Sequence, residues 1–325
     1  MSLVPMLALL AAAMPQGPGT DTTISVSQGT RLRVENAGGD ITVHVWDRNQ
    51  VRVQASHNRR THVNVKLIGA VLSLEASSQY GPANMVDYEL TVPSWMPLKL
   101  GGMYAEVNVD GSKAPIEVET LEGDITIKGG AETVKLGSVQ GKIVVSGVRG
   151  RLELNSVSED VEASDIQGDI VAETVSGDII LRRIDAKSVE VETVSGELYY
   201  DGRIMDAGHY SLLTHSGEIY FSVPEGSNAT VATAIGSGDV QASFSLPASE
   251  RPSRRRQTYR LGSGSASVEL ETFSGDIHLL RPAEVSAKLD RLIKAREDRE
   301  AERAMHKRNK KPDHDEDRDH DWSTR

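Results

Sequence analysis

The stretch from Glu173 to Tyr200 reads ETVSGDIILRRIDAKSVEVETVSGELYY and contains one phrase twice, as TVSGDI at 174–179 and as TVSGEL at 193–198. The core of that phrase is an anchor residue followed by a charged and then an apolar residue. Its copies begin at Gly123, Gly141, Glu159, Gly177, Gly196, Gly217, Gly238 and Gly275. The steps between these anchors are 18, 18, 18, 19, 21, 21 and 37 residues. A near-constant period of this size is typical of a stack of units, each burying its apolar face against the next.

Apolar residues recur at fixed positions around each anchor, and the spacing between them is that of strands. They stand two and four residues after the anchor, and two, five and seven residues before it. Alternate side chains of a strand point to the same face, so spacings of two indicate strands. The columns that contain Ile179 and Val175 are both expected to point into the core.

The unit divides once more, because Gly150 and Gly168 each fall nine residues after an anchor. Each coil therefore has two similar sides. The sequence predicts an all-β fold, a β-solenoid or β-helix built from coils of about 18 residues. A left-handed hexapeptide helix is rejected, because it would need an apolar residue at every sixth position.

The composition and the first residues bear on the compartment and on the partners. A net charge of −11 argues against duplex nucleic acid as the main partner. The absence of cysteine excludes disulfides, thiol catalysis and Cys-ligated zinc. The apolar run from Leu3 to Ala13 is typical of a signal peptide and is too short to span a bilayer. We therefore expect residues 1–19 to be a signal peptide or leader, the protein to be exported to the periplasm or cell surface, and no transmembrane span.

The remaining chain divides into three regions. Residues 20–110 form an irregular β region that either starts the solenoid or covers its end, and residues 111–282 form the regular β-solenoid. An excursion from Leu246 to Leu261 is expected to leave the stack as a basic, mobile loop. Residues 283–325 are expected to form a charged helix, whose first turns cap the last coil, and then a disordered acidic tail.

Two groups of residues are candidates for partner binding. Tyr199 and Tyr220 sit on neighbouring coils and are expected to point outward, where exposed rings suit sugars or a protein, although such a pair also simply stabilises a sheet. Arg254, Arg255 and Arg256 lie in the basic excursion. They form either a tolerated surface loop or a docking site for an anionic polymer or lipid headgroups.

An acidic residue follows the anchor in seven of the eight copies, which predicts a ladder of carboxylates. Its members are Asp124, Asp160, Asp178, Glu197, Glu218, Asp239 and Asp276. Carboxylates at strand spacing repel one another unless backbone N–H groups of the turns or divalent cations compensate. The chain has single glycines where a calcium-binding nonapeptide roll needs pairs, so we expect no dedicated metal site. No catalytic or cofactor-binding residue is predicted, since the sequence has no nucleophile elbow, phosphate loop or ligand-spaced histidines.

Several phrases together resemble one bacterial family. They are the two TVSG phrases, GDITVHVWD at 39–47 with VRV at 51–53, and YELTVP at 88–93. These resemble the DUF4097 family, whose members are labelled candidate adhesins, and the resemblance covers roughly residues 22–281. It implies a β-strand-repeat fold and an exported or membrane-linked protein, some members being tied to envelope stress, with no catalytic residues. The chain departs from the pattern at 101–106 and in its charged C-terminal region.

These observations together predict a non-enzymatic, exported envelope protein. It would act as an adhesin or surface scaffold that binds an envelope protein or a polysaccharide through a repetitive β face. The first alternative is a self-associating envelope filament or a stress-response component. The second is a carbohydrate-active β-helix enzyme.

Overall fold

The structure is a computed structural model that describes residues 19–78, 85–249, 253 and 255–309. The predicted leader up to residue 18, the acidic tail from residue 310 and Arg254 lie outside the described residues. The first thirteen strands are β1 (Gly19–Ser25), β2 (Arg31–Gly38), β3 (Ile41–Trp46), β4 (Gln50–Ser56), β5 (Thr61–Ile68), β6 (Val71–Ser78), β7 (Asp87–Pro93), β8 (Leu98–Tyr104), β9 (Val107–Ser112), β10 (Ile116–Glu122), β11 (Ile125–Gly129), β12 (Ala131–Gln140) and β13 (Ile143–Ser146).

The remaining elements complete the stack and add one helix. They are β14 (Arg149–Ser156), β15 (Val161–Gln167), β16 (Ile170–Ser176), β17 (Ile179–Asp185), β18 (Ser188–Ser195), β19 (Leu198–Gly202), β20 (His209–Ser216), β21 (Ile219–Ser222), β22 (Ala229–Ser237), β23 (Val240–Ala242), β24 (Arg256–Leu261), β25 (Ala266–Ser274), β26 (Ile277–Leu280) and α1 (Pro282–Asn309).

The strands form two mostly parallel ladders that face each other across one core. Sheet A runs in the order β5-β6-β2-β8-β10-β12-β14-β16-β18-β20-β25-β22-β24. Sheet B runs β1-β4-β7-β3-β9-β11-β13-β15-β17-β19-β21-β26-β23. Through the middle of the stack each coil gives one strand to each sheet, so the predicted two-sided β-solenoid is confirmed.

The core between the sheets is filled by the repeat columns. The column two residues after the anchor is buried at Ile125, Ile143, Val161, Ile179, Leu198, Ile219 and Ile277. The columns five and seven residues before the anchor are buried as well, for example Ala172 and Ile170. Val, Ile and Leu fill most of this core, with Tyr200, Tyr210 and Phe221 added near its C-terminal end, and each buried Val, Ile or Leu contributes about 1.5–3 kcal/mol.

The prediction that the column of Val175 faces the core is wrong, because that side chain is exposed. Thr174 is the residue that points inward, in step with Ala172 and Ile170. Val175 lies three residues from Ala172, so strand alternation places it on the opposite face. Buried hydroxyls in the Thr174 column are satisfied by main-chain carbonyls, as where Thr214 Oγ1 donates to Gly196 O at 3.1 Å.

Antiparallel strands cover both sheets at the N-terminal end of the stack and sheet A at the other end. β1 pairs with β4, and β5 pairs with β6, both antiparallel. β2 and β3 pair in parallel with β8 and β9, so the solenoid already begins within residues 20–110. At the other end, β24 pairs antiparallel with β22. The excursion is therefore only partly a loop, since its last six residues form this edge strand.

The coils do not follow one another in space as they do in sequence at the C-terminal end. β25 lies between β20 and β22, and β26 lies between β21 and β23. The coil formed by β25 and β26, which is the last in sequence, is therefore the second-last coil in space. Its glycine, Gly275, has a φ of +146°, and a Cβ there would approach Gly217 O to 2.1 Å. Only glycine allows the two coils to stack this closely.

The helix α1 begins at Pro282, which suits the first helical position, and Glu284 accepts the Arg281 N–H at 2.9 Å. The predicted helix is confirmed, but its expected place is wrong. It does not cap the last coil. It lies along the outer face of sheet B, where its side chains contact residues of β17, β19 and β21. Within the described ranges, no helix is both long and apolar enough to cross a bilayer.

Candidate interaction site

Tyr199 and Tyr220 lie on the outer face of sheet B, as expected, but they are not exposed. Their rings are stacked at 4.8 Å between centroids, and the His278 ring stacks on Tyr220 at 4.5 Å. Both tyrosines are almost completely buried, at 2% and 4% exposure. The expectation of exposed rings is therefore wrong. The sequence pattern indicates on which face of the sheet the two rings lie, but it does not indicate which element covers that face.

The cover is the first part of α1. Val285 and Leu289 are fully buried against Ile180, Tyr199 and Tyr220, and Leu280 and Leu292 pack beside them. The Lys288 ammonium lies 3.6 Å from the centroid of the Tyr220 ring, a favourable cation–π geometry. The helix of this same chain is thus the partner of the predicted aromatic pair.

The hydroxyl groups of the two tyrosines are also occupied. Tyr199 donates to the Glu197 carboxylate and Tyr220 donates to the Glu218 carboxylate. Burial first, and then the bond to the carboxylate, raises the pKa of both phenols well above the ordinary value. His278 Nε2 lies 3.1 Å from Glu218 Oε2 and completes the cluster.

Further along α1, Arg296 fastens the helix to the acidic ladder. Its guanidinium lies 3.0 Å from Asp160 Oδ2, 2.5 Å from Asp178 Oδ2 and 3.5 Å from Glu162 Oε1. Burial raises the pKa of the Asp178 carboxyl, with the nearby Asp160 and Glu197 carboxylates adding to it, while the Glu197 N–H and Arg296 act against the shift. One cation is therefore shared among three carboxylates on adjacent coils.

The acidic ladder has a structural role in the backbone. Asp160 Oδ1 accepts the N–H of Asp178 at 2.7 Å, and Asp178 Oδ1 accepts the N–H of Glu197 at 2.7 Å. Asp124 and Asp276 make the same contact to their neighbouring coils. Backbone capping, one of the two compensations considered for the ladder, is present, and it runs from coil to coil. Among the described residues, no three His, Asp or Glu side chains are grouped as a metal site would need.

The basic candidates lie at a different place. Arg256 begins the edge strand β24, and Arg255 precedes it, both with exposed side chains. The Arg255 carbonyl accepts the N–H of Ile235 at 2.8 Å, which ties this segment to sheet A. The tyrosines belong to sheet B, so the structure does not bring the two predicted groups together.

A surface that the sequence interpretation missed lies at the corner where each strand of sheet A passes to the next strand of sheet B. One residue per coil stands there with its side chain in solvent. These residues, called the apolar ridge below, are Met103, Leu121, Val139, Val157, Val175, Val194, His215 and Phe273. The sequence pattern could have revealed this surface. Each ridge residue lies an odd number of residues after the buried column that precedes it, so strand alternation places its side chain on the opposite face.

Comparison with known proteins identifies the chain at the level of the family. The family model described as Toastrack DUF4097 matches residues 29–280. No curated protein gives a significant match.

Three solved structures are similar over most of the chain. A candidate adhesin from Parabacteroides distasonis has 12% identity and a TM-score of 0.44, covering 81% of this chain and 98% of its own. A candidate adhesin from Bacteroides fragilis has 12% identity and a TM-score of 0.42, covering 82% and 100%. A candidate cell adhesion protein from Clostridium sporogenes has 10% identity and a TM-score of 0.28, covering 81% and 100%.

Proposed function

This chain belongs to the Toastrack DUF4097 family, and from that premise we propose that it is an exported, non-enzymatic scaffold of the bacterial envelope with an adhesin-like role. It binds an envelope protein or a polysaccharide through side chains repeated on successive coils. The apolar run from Leu3 to Ala13 supports the export.

One observation carries this proposal: the surface of the solenoid consists of columns that repeat the same kind of residue from coil to coil. Four carboxylates of the ladder, those of Asp124, Asp160, Asp178 and Asp276, cap backbone N–H groups, and the aromatic cluster is closed by α1. The perturbed groups Asp178, Tyr199 and Tyr220 are thus engaged in holding the helix, which leaves none of them free to act on a substrate. A repetitive surface of this kind suits extended binding, since each coil adds an equivalent contact.

The test is binding of the purified, fluorescently labelled chain to cell envelopes. We expect saturable binding and unchanged envelope polysaccharide after prolonged incubation. The matched control is the Ile179→Asp variant, whose core is disrupted. Absence of saturable binding, or release of sugar fragments that depends on a single carboxylate of the chain, would overturn the proposal.

A further inference from the structure

We propose that the apolar ridge is a docking strip for a protein partner that presents an amphipathic helix with Lys and Arg along both sides of its apolar stripe. This inference rests on the proposed scaffold function and names the surface and the class of partner.

The ridge is continuous and open to solvent. The register of the flanking residues places its members on eight successive coils, for example with Thr193 beside Thr214 and Ser195 beside Ser216 on either side of Val194 and His215. Its apolar members are between 37% and 62% exposed. At about 4.8 Å per strand, eight coils give a strip roughly 34 Å long. A contiguous apolar strip of this length on a folded protein marks an interaction surface.

Two acidic lines border the ridge. The first stands two residues before it on sheet A and is acidic on four of the eight coils, where its exposed carboxylates are Glu119, Glu173, Glu192 and Glu271. The other four coils have Gly101, Gly137, Asn155 and Leu213 at this position. In the described part of the chain, no Lys or Arg is paired with these four carboxylates. The second line is the acidic ladder, which begins three residues after the ridge. The ridge is therefore an apolar seam with carboxylates on both sides, of which Asp160 and Asp178 in the ladder are paired with Arg296, while Lys142 stands at one ladder position.

The charge selects among possible occupants. A second copy of the chain would bring its own two acidic rows against these, and an anionic membrane surface would be repelled in the same way. A partner with basic residues beside its apolar stripe can bury the apolar ridge and form ion pairs with the carboxylates on both sides of it. Paired charges at the rim of an interface set the orientation and the rate of association.

The helix α1 shows that a helix parallel to the stack fits this repeat. One helical turn advances 5.4 Å, close to the strand spacing of about 4.8 Å, so residues three or four apart meet successive coils. Val285, Leu289 and Leu292 are spaced in this way on sheet B, and Arg296 then reaches the carboxylates of two coils. A helix of about 22 residues would span the whole ridge.

The experiment uses a fluorescein-labelled synthetic peptide of about 22 residues with leucines at every third and fourth position and lysines beside them. The full chain is titrated into it at physiological salt, and fluorescence anisotropy gives the dissociation constant. A scrambled peptide of the same composition measures attraction by charge alone. We expect the striped peptide to bind at least about tenfold more tightly than the scrambled one.

The variant Val157→Thr/Val175→Thr removes two apolar ridge side chains and keeps their β-branched shape. It should weaken binding of the striped peptide by at least about tenfold. The control Val144→Thr/Val171→Thr makes the same change at outward positions off the ridge and should leave binding unchanged.

Three results would overturn the proposal. They are equal affinity for the two peptides, equal binding by the two double variants, and ridge-dependent self-association in sedimentation velocity, which would make a second copy the occupant. Failure of the wild-type chain to bind the striped peptide, with its saturable binding to envelopes intact, would refute only the ridge proposal. Failure of the wild-type chain to bind envelopes would refute the scaffold function itself.

Discussion

Val175 and Ile179 are four residues apart, carry similar side chains and face opposite environments. Ile179 is fully buried between the sheets, whereas Val175 is 49% exposed on the apolar ridge. The same substitution should therefore have opposite consequences at the two positions. Ile179→Asp buries a carboxylate without a partner and should cost several kcal/mol, enough to unfold the central coils.

Val175→Asp places its charge in water and should change the free energy of unfolding by about 1 kcal/mol or less. Thermal melting of the two purified variants beside the wild type measures the contrast. Unfolding of Val175→Asp, or an unchanged melting temperature for Ile179→Asp, would contradict the assignment of the inward column.

Asp178 predicts an unusual dependence of stability on pH. Burial raises its pKa above the ordinary value of 3.8, so the folded chain holds a proton where the unfolded chain does not. The contribution of this group to the free energy of unfolding therefore grows as the pH falls through the raised pKa, and shrinks as the pH rises. Relative to Asp178→Asn, the wild type should gain stability as the pH falls from neutral through the raised pKa towards the ordinary value of 3.8.

Asp165 supplies a control of opposite sign. The hydrogen bond from Arg183 lowers the pKa of this carboxyl, so its stabilisation is present at neutral pH and is lost as the pH falls through the lowered pKa. Relative to Asp165→Asn, the wild type should therefore lose stability only at lower pH, as the pH falls through the ordinary value of 3.8 and then through the lowered pKa. Denaturant titrations at several pH values give both differences, and parallel curves for the two pairs would contradict the prediction.

At the scale of the element, α1 is held against sheet B by apolar contacts of its first half, the apolar half, and by the ion pairs of Arg296 in its second half, the ionic half. Removing the Arg296 guanidinium leaves Asp160 and Asp178 close together without a cation, whereas Glu162 keeps its ion pair with Lys142 at 2.8 Å. Arg296→Ala should therefore lower the free energy of unfolding by about 1–3 kcal/mol. It should also speed hydrogen exchange in the second half of the helix.

Arg299 lies one turn further, is exposed and makes no ion pair within the described residues. Arg299→Ala should therefore stay within about 0.5 kcal/mol of the wild type. Equal effects of the two substitutions would mean that the ionic half does not hold the helix.

The sequence predicted the apolar half of this element but not its position. Val285, Leu289 and Leu292 are recognisable as one face of a helix. Their partners Tyr199 and Tyr220 were assigned correctly to the outer face of a strand. Nothing in a single sequence links the two faces, because each apolar stripe could be covered by any element of matching shape. The contact of Arg296 with two coils depends on that docking and could not be predicted either.

At the scale of the whole molecule, the regular coils were predictable, and the ends and the order of the last coils were not. Columns such as Ile143, Val161 and Ile179 repeat with the coil, so counting residues suffices. The repeats are nearly interchangeable as packing units, so the sequence does not say which coil lies beside which. The place of β25 between β20 and β22 depends on the long connection through β24, whose strand character the basic composition of the excursion obscured.

The antiparallel strand β24 predicts that the stack does not grow from end to end. It covers the outer edge of β22 with the opposite strand direction, which a further parallel coil cannot continue. Replacing residues 246–261 by a linker of about six residues should expose that edge and cause association that increases with concentration. Sedimentation velocity measures it.

The matched control is Arg255→Ala/Arg256→Ala, which removes the basic side chains and leaves β24 in place. It should behave as the wild type, which we expect to be monomeric. Filaments formed by the wild type itself would contradict the role of β24 as an end cover.

The displaced coil also constrains how the chain can be made. A ribosome releases β20 and β21 long before β25 and β26, yet β25 and β26 are their neighbours on the completed stack. During synthesis, the edges of β20 and β21 therefore stay unpaired until β25 and β26 have been made. β22 and β23 are similar in sequence to β25 and β26, so they must not pair with those edges in the meantime. Folding from the N-terminus can proceed coil by coil only as far as β21. The final part of the molecule closes in one late step, and a chain cut short before residue 266 would carry a permanently unpaired pair of strands.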